Sequence, residues 1–269
     1  MIQTRRPARQ SVLGVQVSAT TYEEVVAHCR DWIARKGTDP ARYICVTSVH
    51  GIMTAYRDAT FRAMLNGADI VTPDGMPVVW AMRSFGVRGQ QRVYGPNLML
   101  ALCEQAAALG HRVFLYGSTE DRVKALILKL TKRFPGLTIA GYECPPFRPL
   151  TAEEEEAAAM RIRGSGADLV FIGLSTPKQE AWMVRMRRRL PGMVLVGVGA
   201  AFDFHAGTVR QAPAWMQNAG LEWLFRLLME PGRLWKRYLS IVPVFLPLWA
   251  LQRAGVLRFN AEAEHKGAG

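Results

Sequence analysis

The chain has 269 residues, 49% of them apolar, so it is long enough to bury a substantial core and lacks the composition of a disordered protein. Its 34 lysines and arginines exceed its 22 aspartates and glutamates, and the formal charge of +12 favours an anionic partner such as nucleic acid, anionic lipid or a phosphorylated substrate. The four cysteines are widely separated and form no CxxC pair, so the sequence indicates neither a zinc site nor a disulfide framework.

Short apolar strands alternate with amphipathic helices along most of the chain. The predicted strands are 43–46, 69–71, 112–116, 169–174 and 193–198. The predicted helices are 20–36, 97–109, 119–134, 151–163 and 177–190. This alternation indicates an α/β fold with a doubly wound, mainly parallel sheet.

The composition changes near residue 212, where the strand pattern gives way to a segment rich in tryptophan and basic residues. We expect an α/β catalytic domain at 1–212, a helical appendage at 213–260 and a disordered tail at 261–269. The apolar run at 239–251 is shorter than the roughly 20 residues of a spanning helix. We expect it to lie on a membrane surface, with an oligomer interface as the alternative.

The first ten residues are basic but are not followed by the apolar run of a secretory signal. A cytoplasmic protein that associates peripherally with the inner face of the cell membrane is therefore expected. Aromatic side chains in the appendage would lie at the headgroup level, and its cations would face phosphates.

Loops after the predicted strands hold the candidate site residues, because ligands of open α/β sheets bind at the carboxyl ends of the strands. Thr47 and Ser48 follow the first strand, where a helix N-cap explains the hydroxyls as well as a ligand does. Gly117 and Ser118 follow the third strand, where the next helix N-terminus could receive a diphosphate. An ordinary capped helix start explains these two residues equally well.

Two later loops complete the set of substrate-binding candidates. Lys178 and Gln179 follow a very apolar strand that needs no polar run at its end for stability, which favours a functional role. Gly199 follows the last strand, where a glycine lets backbone N–H groups approach a ligand closely.

Asp74 is the candidate catalytic residue. It lies in a Pro-Asp-Gly turn just after the second predicted strand, and this sequence is also simply favourable turn chemistry. A carboxylate held at the sheet edge could accept the proton of an attacking hydroxyl, provided that burial raises its pKa above the usual value of about 3.9.

Several common chemistries have no motif here. GVGAAF at 197–202 lacks the third glycine of GxGxxG, and GxxxxGK[ST], GxSxG and HExxH do not occur. No D-x-D pair is present and the histidines are scattered, so we expect no metal and no cofactor. Arginines would then offset the charge of a leaving group.

A set of motifs in a fixed order resembles the WecG/TagA/CpsF glycosyltransferase family. These motifs are TPDGMPVVW at 72–80, RVYGPNLM at 92–99, VFLYGS at 113–118, GLSTPKQEAWM at 173–183, GVGAAFDFHAGTVRQAP at 197–213 and LEWLFRLLMEPGRLWKRY at 221–238. The resemblance implies a Rossmann-like enzyme that moves a sugar, with inversion, from a UDP-sugar to a polyprenyl-diphosphate-linked saccharide during synthesis of bacterial surface polymers.

The resemblance also implies roles for individual residues. Asp74 matches the proposed base, and Thr47 and Gln179 match polar residues of its pocket. The appendage residues that match those thought to complete the site and contact diphosphate are Arg226, Arg233 and Arg237. The chemistry agrees, because arginine binds phosphate oxygens bidentately and a UDP leaving group gains negative charge as it departs.

Two departures from the family pattern concern the donor sugar. Ser48 replaces a common asparagine, and Met76-Pro77 replaces the pair usual after Asp-Gly. The resemblance therefore leaves both a glucose donor, as in exopolysaccharide synthesis, and an N-acetylmannosamine donor open.

The alternative is a basic protein without catalysis that binds membranes or nucleic acid. The stripe at 185–189 would supply the charge for nucleic acid, but the aromatic residues lie elsewhere in the sequence. We therefore expect no nucleic-acid partner.

Overall fold

The computed structural model describes residues 6–259, apart from the side chains of residues 233, 237–239 and 242. The predicted tail at 261–269 lies outside this range. The strands are β1 (Arg9–Val12), β2 (Val15–Ser18), β3 (Arg42–Thr47), β4 (Ile70–Pro73), β5 (Arg112–Gly117), β6 (Thr138–Glu143), β7 (Leu169–Gly173) and β8 (Val194–Gly197). The helices are α1 (Tyr22–Ala34), α2 (Val49–Arg57), α3 (Ala59–Asn66), α4 (Met76–Ser84), α5 (Gly95–Leu109), α6 (Glu120–Arg133), α7 (Ala152–Gly164), α8 (Lys178–Met186), α9 (Ala201–Ala206), α10 (Ala214–Asn218), α11 (Glu222–Met229) and α12 (Pro231–Arg253).

Six of the strands form one parallel sheet in the order β4-β3-β8-β7-β5-β6, and β1 and β2 form a separate antiparallel hairpin. Side chains along each strand point alternately to the two faces of the sheet, and both faces are buried because helices pack against them. Helices α2, α3, α4, α7, α8 and α12 cover one face together with the hairpin, and α1, α5, α6 and α9 cover the other. The α/β fold class predicted from the sequence is confirmed.

The five predicted strands and five predicted helices are all present, with ends that shift by a few residues. The strand β6 was missed because it lies at the sheet edge and its residues are half-buried or exposed, so it has no apolar run. The hairpin was missed as well, although its turn at Leu13 and Gly14 has the positive φ values of a tight hairpin connection. Helix α8 ends at Met186, earlier than expected.

The apolar run 239–251 lies inside the longer helix α12, which contains Pro243 and Pro247. One side of this helix buries Leu234, Ile241 and Phe245 against the rest of the molecule. No helix among the described residues is long and apolar enough to cross a bilayer.

Hydrogen bonds also attach α12 to the α/β body, which comprises β1–β8 and α1–α9. The Gln252 side chain accepts from the Leu13 N–H (2.9 Å) and donates to the Ser11 carbonyl (3.1 Å), so it satisfies the turn of the hairpin. Trp249 donates through Nε1 to the Ser84 hydroxyl of α4 (3.0 Å). The helix is therefore held at several points along its second half.

At the carboxyl edge of the sheet, β5 and β7 approach each other closely. Gly117 pairs with Gly173 in the register, and a Cβ atom at Gly117 would lie 2.8 Å from the Gly173 carbonyl carbon and oxygen. Gly117 also has a backbone φ of 125°, a value that residues with a side chain rarely adopt.

We expect Gly117→Ala to destabilise the fold by about 3 kcal/mol or more, because backbone strain adds to a contact that only backbone movement can relieve. Gly110→Ala is the matched control, since Gly110 also has a positive φ of 71° but no neighbour within 4 Å of an added Cβ. It should cost only about 1 kcal/mol. Denaturant unfolding of both variants checks this, and equal losses would contradict it.

Candidate active site

A cavity of about 950 Å³ lies at the carboxyl edge of the sheet. The loops after β3, β4, β5, β6, β7 and β8 form its walls on the α/β body, and residues of α11 and α12 close another side. This volume lies at the upper end of the range for small-molecule sites, about 300–1,000 Å³. The cavity can therefore hold a ligand as large as a nucleotide sugar.

Asp74 enters the cavity directly after β4. Its backbone N–H donates to the Thr47 carbonyl at the end of β3 (2.9 Å), and its Oδ1 accepts from the Gly95 N–H at the start of α5 (3.3 Å). The side chain keeps 22% of its surface exposed. The carboxylate is thus held on two sides while one side stays open to a substrate.

Burial raises the pKa of Asp74 from 3.8 to about 6, and the Glu222 carboxylate adds to this rise. Arg92, the Gly95 N–H and Arg226 act in the opposite direction but do not cancel it. A carboxylate with this pKa is ionised at neutral pH and is a better proton acceptor than an ordinary aspartate.

Arg92 lies between two acidic side chains. Its Nη2 is 2.5 Å from Glu222 Oε2 and 3.6 Å from Asp74 Oδ1, and its Nε donates to the Asp74 carbonyl. The guanidinium stacks 3.9 Å from the centre of the Tyr94 ring, and the Tyr94 hydroxyl donates to Glu222 Oε1 (3.0 Å). Glu222 is the first residue of α11, so this cluster joins the C-terminal helices to Asp74.

Arg226 lies one turn further along α11 and also lines the cavity. Its buried Nε has no hydrogen-bond partner among the described residues, and its guanidinium lies 5.8 Å from the centre of the Phe204 ring. A buried N–H without a partner costs free energy, so a ligand oxygen at this point is favoured.

Six helices start at the cavity, and their backbone N–H groups add positive potential there. None of the six, which all lie in the described part of the chain, is capped by the side chain of its own N-cap residue: these are α2, α4, α5, α6, α8 and α9. The first N–H of α5, that of Gly95, donates instead to Asp74 Oδ1. In contrast, α1, α3 and α7 are capped by Thr21, Asp58 and Thr151. The cavity therefore suits an anion such as a diphosphate.

Most of the substrate-binding residues predicted from the sequence line this cavity. They are Ser48, Ser118, Lys178, Gln179, Gly199 and Arg226. Gln179 is 3% exposed, and its Oε1 has no hydrogen-bond partner among the residues described. The backbone N–H of Gly199 donates to the Ile172 carbonyl (3.2 Å), so it is already used within the protein.

Four predicted residues stand apart from that group. Thr47 is buried beneath the cavity and holds Asp74 through its carbonyl, and Gly117 lies against β7 rather than in the cavity wall. Arg233 and Arg237 belong to α12, but their side chains lie outside the described residues.

Sequence reasoning assigned no role to Arg92, Tyr94 or Glu222, although all three fall within the quoted motifs. An arginine two residues before an aromatic, just ahead of the predicted helix 97–109, was the available signal. Glu222 gave none, because its partners are 128 and 130 residues away in the sequence.

The basic stripe at 185–189 is partly neutralised. Arg185 and Arg189 both pair with Glu155, at 2.7 and 3.2 Å, and Arg187 lies over the Tyr43 ring. The two paired arginines therefore contribute less to a surface for nucleic acid.

A parallel sheet with a proton-accepting carboxylate and several cationic groups at its carboxyl edge defines an α/β enzyme for an anionic substrate. The chain belongs to the WecG/TagA/CpsF family of glycosyl transferases, whose model matches residues 10–258. The resemblance seen in the sequence is thus confirmed, and the alternative of a protein without catalysis is wrong.

Two curated relatives are similar over most of the chain. One is the N-acetylglucosaminyldiphosphoundecaprenol N-acetyl-beta-D-mannosaminyltransferase of Bacillus subtilis (strain 168), 34% identical over 187 residues, which are 70% of this chain and 71% of the relative. The enzyme of the same name from Bacillus spizizenii (strain ATCC 23059 / NRRL B-14472 / W23) is 35% identical over 187 residues, 70% of each chain.

The raised pKa of Asp74 predicts that the residue destabilises the folded protein above pH 6. At low pH the carboxyl is protonated in both states and does not oppose folding. Because its pKa is near 6 in the folded protein and near 3.8 in the unfolded chain, the free energy of unfolding falls as the pH rises from 3.8 through 6. We expect Asp74→Asn to increase the free energy of unfolding at pH 8 by up to about 3 kcal/mol.

The same substitution should have almost no effect near pH 3, where the wild-type carboxyl is largely protonated in both the folded and the unfolded state. Denaturant unfolding at the two pH values measures the difference. A loss of stability at pH 8 would contradict the assignment of a raised pKa.

Proposed function

We propose that this glycosyltransferase moves a hexosyl residue from a UDP-sugar to an undecaprenyl-diphosphate-linked saccharide, with inversion, during synthesis of a cell-surface polymer. The observation that carries the proposal is the shared cavity, in which an Asp74 carboxylate of raised pKa lies among cationic groups and uncapped helix N-termini. The names of the relatives support an acceptor of this class.

The proposed reaction is a single displacement. The acceptor hydroxyl oxygen forms a bond to the anomeric carbon, its proton passes to Asp74, and the bond from that carbon to the diphosphate oxygen breaks with its electron pair leaving on UDP. Arg226 and the N-terminus of α6 stabilise the charge that develops on the diphosphate. Arg233 and Arg237 are proposed to join them, and the reaction needs no metal and no covalent enzyme intermediate.

For the donor we propose an N-acetylmannosaminyl group, because both named relatives transfer this sugar. Glucose is the second candidate, since Met76 and Pro77 next to the base depart from the pair that usually follows Asp-Gly in the family. Met76 also approaches Gly220 just before α11, so a change at this pair alters the wall of the cavity.

A panel of UDP-sugars with a short-chain polyprenyl-diphosphate saccharide tests both donors at once. Mass spectrometry of the product gives the sugar transferred, and NMR gives the linkage and the anomeric configuration. A product with retained configuration would contradict the single displacement. Transfer of neither N-acetylmannosamine nor glucose would contradict the donor class.

Asp74→Asn should lower turnover by about 100-fold or more while UDP binding stays intact, because the amide keeps the shape of the side chain but accepts no proton. Steady-state transfer assays and calorimetric titration with UDP measure the two effects separately. Near-normal turnover in the variant would remove Asp74 from the mechanism.

We further propose that α11 and α12 bind the surface of an anionic membrane, where the lipid-linked acceptor would be met. Large apolar side chains on these helices are exposed, with Leu228 at 71% and Trp235 at 47%, and the Lys236 ammonium lies 5.5 Å from the Trp235 ring. Apolar side chains beside cations suit the boundary between lipid chains and headgroups. A homo-oligomer through the same surface is the other possible use of this patch.

The variant Leu228→Glu should reduce co-sedimentation with vesicles that contain anionic lipid, since a buried charge opposes insertion. Leu128→Glu on α6 is the matched control, because Leu128 is 70% exposed on a different surface. It should bind like the wild type. Equal binding of all three proteins would contradict the proposed membrane surface, and a change of mass in solution caused only by Leu228→Glu would indicate an oligomer instead.

A further inference from the structure

Arg92 lies beside two acidic side chains, those of Asp74 and Glu222, although one carboxylate is enough to pair with its charge. Arg92 Nη2 lies nearer to Glu222 Oε2 (2.5 Å) than to Asp74 Oδ1 (3.6 Å), so the closer ion pair is the one made with α11. All three side chains are mostly shielded from water, with exposed fractions between 15% and 22%. Their mutual electrostatic effects are therefore strong.

Glu222 is the member of the cluster that comes from outside the α/β body. It receives hydrogen bonds from both Arg92 and the Tyr94 hydroxyl, which fixes both of its oxygens. The turn before it is also fitted closely, since a Cβ at Gly220 would lie 2.8 Å from the Trp80 ring of α4. The position of α11 and the position of Glu222 are thus set together.

The charges that face Asp74 come from several elements. Arg92 and the Gly95 N–H lie on the α/β body, and Glu222 and Arg226 lie on α11. Burial, and to a smaller extent the Asp74 charge, raises the pKa values of the Tyr22 and Tyr94 hydroxyls. Burial makes the largest contribution to the raised pKa of Asp74. Of the two charged groups on α11, Glu222 favours the protonated form of Asp74 and Arg226 opposes it.

The two acidic groups compete for a single guanidinium. Without Glu222, the charge of Arg92 would act on Asp74 alone, and an unopposed arginine stabilises the ionised carboxylate. A more stable carboxylate is a weaker proton acceptor. Glu222 of α11 therefore changes the chemistry of Asp74, which belongs to a different part of the molecule.

We propose that Glu222 is a positioning residue, which holds the Arg92 guanidinium toward α11 and so keeps Asp74 an effective base. This inference rests on the proposed function, because it concerns the proton that Asp74 receives from the acceptor. It links completion of the cavity by α11 to activation of the acceptor hydroxyl.

The test is a pH titration of the free protein labelled with ¹³C in the aspartate carboxyl groups. The Asp74 signal is the one that Asp74→Asn removes, and in the wild type it should titrate near pH 6. In Glu222→Gln, which keeps the size of the side chain but not its charge, the midpoint should fall by about one pH unit or more. The acid limb of kcat/KM should move down with it, and kcat on the plateau should decrease.

Tyr94→Phe is the matched control. It removes one hydrogen bond to Glu222 but keeps the ring beneath Arg92 and every charge in the cluster, so the Asp74 midpoint should stay at the wild-type value. Thermal unfolding of both variants verifies that they are folded. If Glu222 were only structural, Glu222→Gln would lose activity without moving the midpoint.

An unchanged Asp74 midpoint in folded Glu222→Gln overturns the proposal, whatever happens to the rate. The NMR titration measures the Asp74 midpoint without any turnover of substrate. A normal rate of sugar transfer by Asp74→Asn would instead overturn the proposed function, so the two failures are distinguishable.

Discussion

Parallel pairing of the six central strands is the constraint on which the rest of the molecule depends. It places the carboxyl end of every strand at one edge, so loops distant in sequence share the walls of one cavity. It also places there the starts of six helices whose N-cap side chains make no capping hydrogen bond, and the partial positive charges of these helices suit a diphosphate. The location of the site follows from the sheet, and its chemistry follows from a few residues in the loops.

Asp74 illustrates how burial and charge act against each other in this site. A carboxylate surrounded by arginines would ordinarily have a lowered pKa, but loss of solvent has the larger effect here. The Glu222 carboxylate forms the closer ion pair with Arg92. Burial of the Asp74 carboxylate lowers the stability of the folded protein, but it gives Asp74 a proton affinity that is useful near neutral pH.

The fold was largely readable from the sequence, because strands such as 169–174 are apolar throughout and buried on both faces. The half-exposed edge strand β6 lacks that pattern and could not be found in this way. Asp74, Gln179 and Arg226 were all identified as candidates, and the structure brings them to one cavity. The Arg92–Glu222 pair was not, since a contact between residues 130 apart depends on tertiary structure and leaves no local pattern.

The contact of Gln252 with the hairpin turn has a consequence for biosynthesis. The Leu13 N–H and the Ser11 carbonyl are joined by a side chain made 239 and 241 residues later. While the ribosome is still translating the segment before α12, these peptide groups must be satisfied by water. The hairpin can therefore reach its final environment only after release of that helix, and nascent chains stalled earlier would be easier substrates for quality-control proteases.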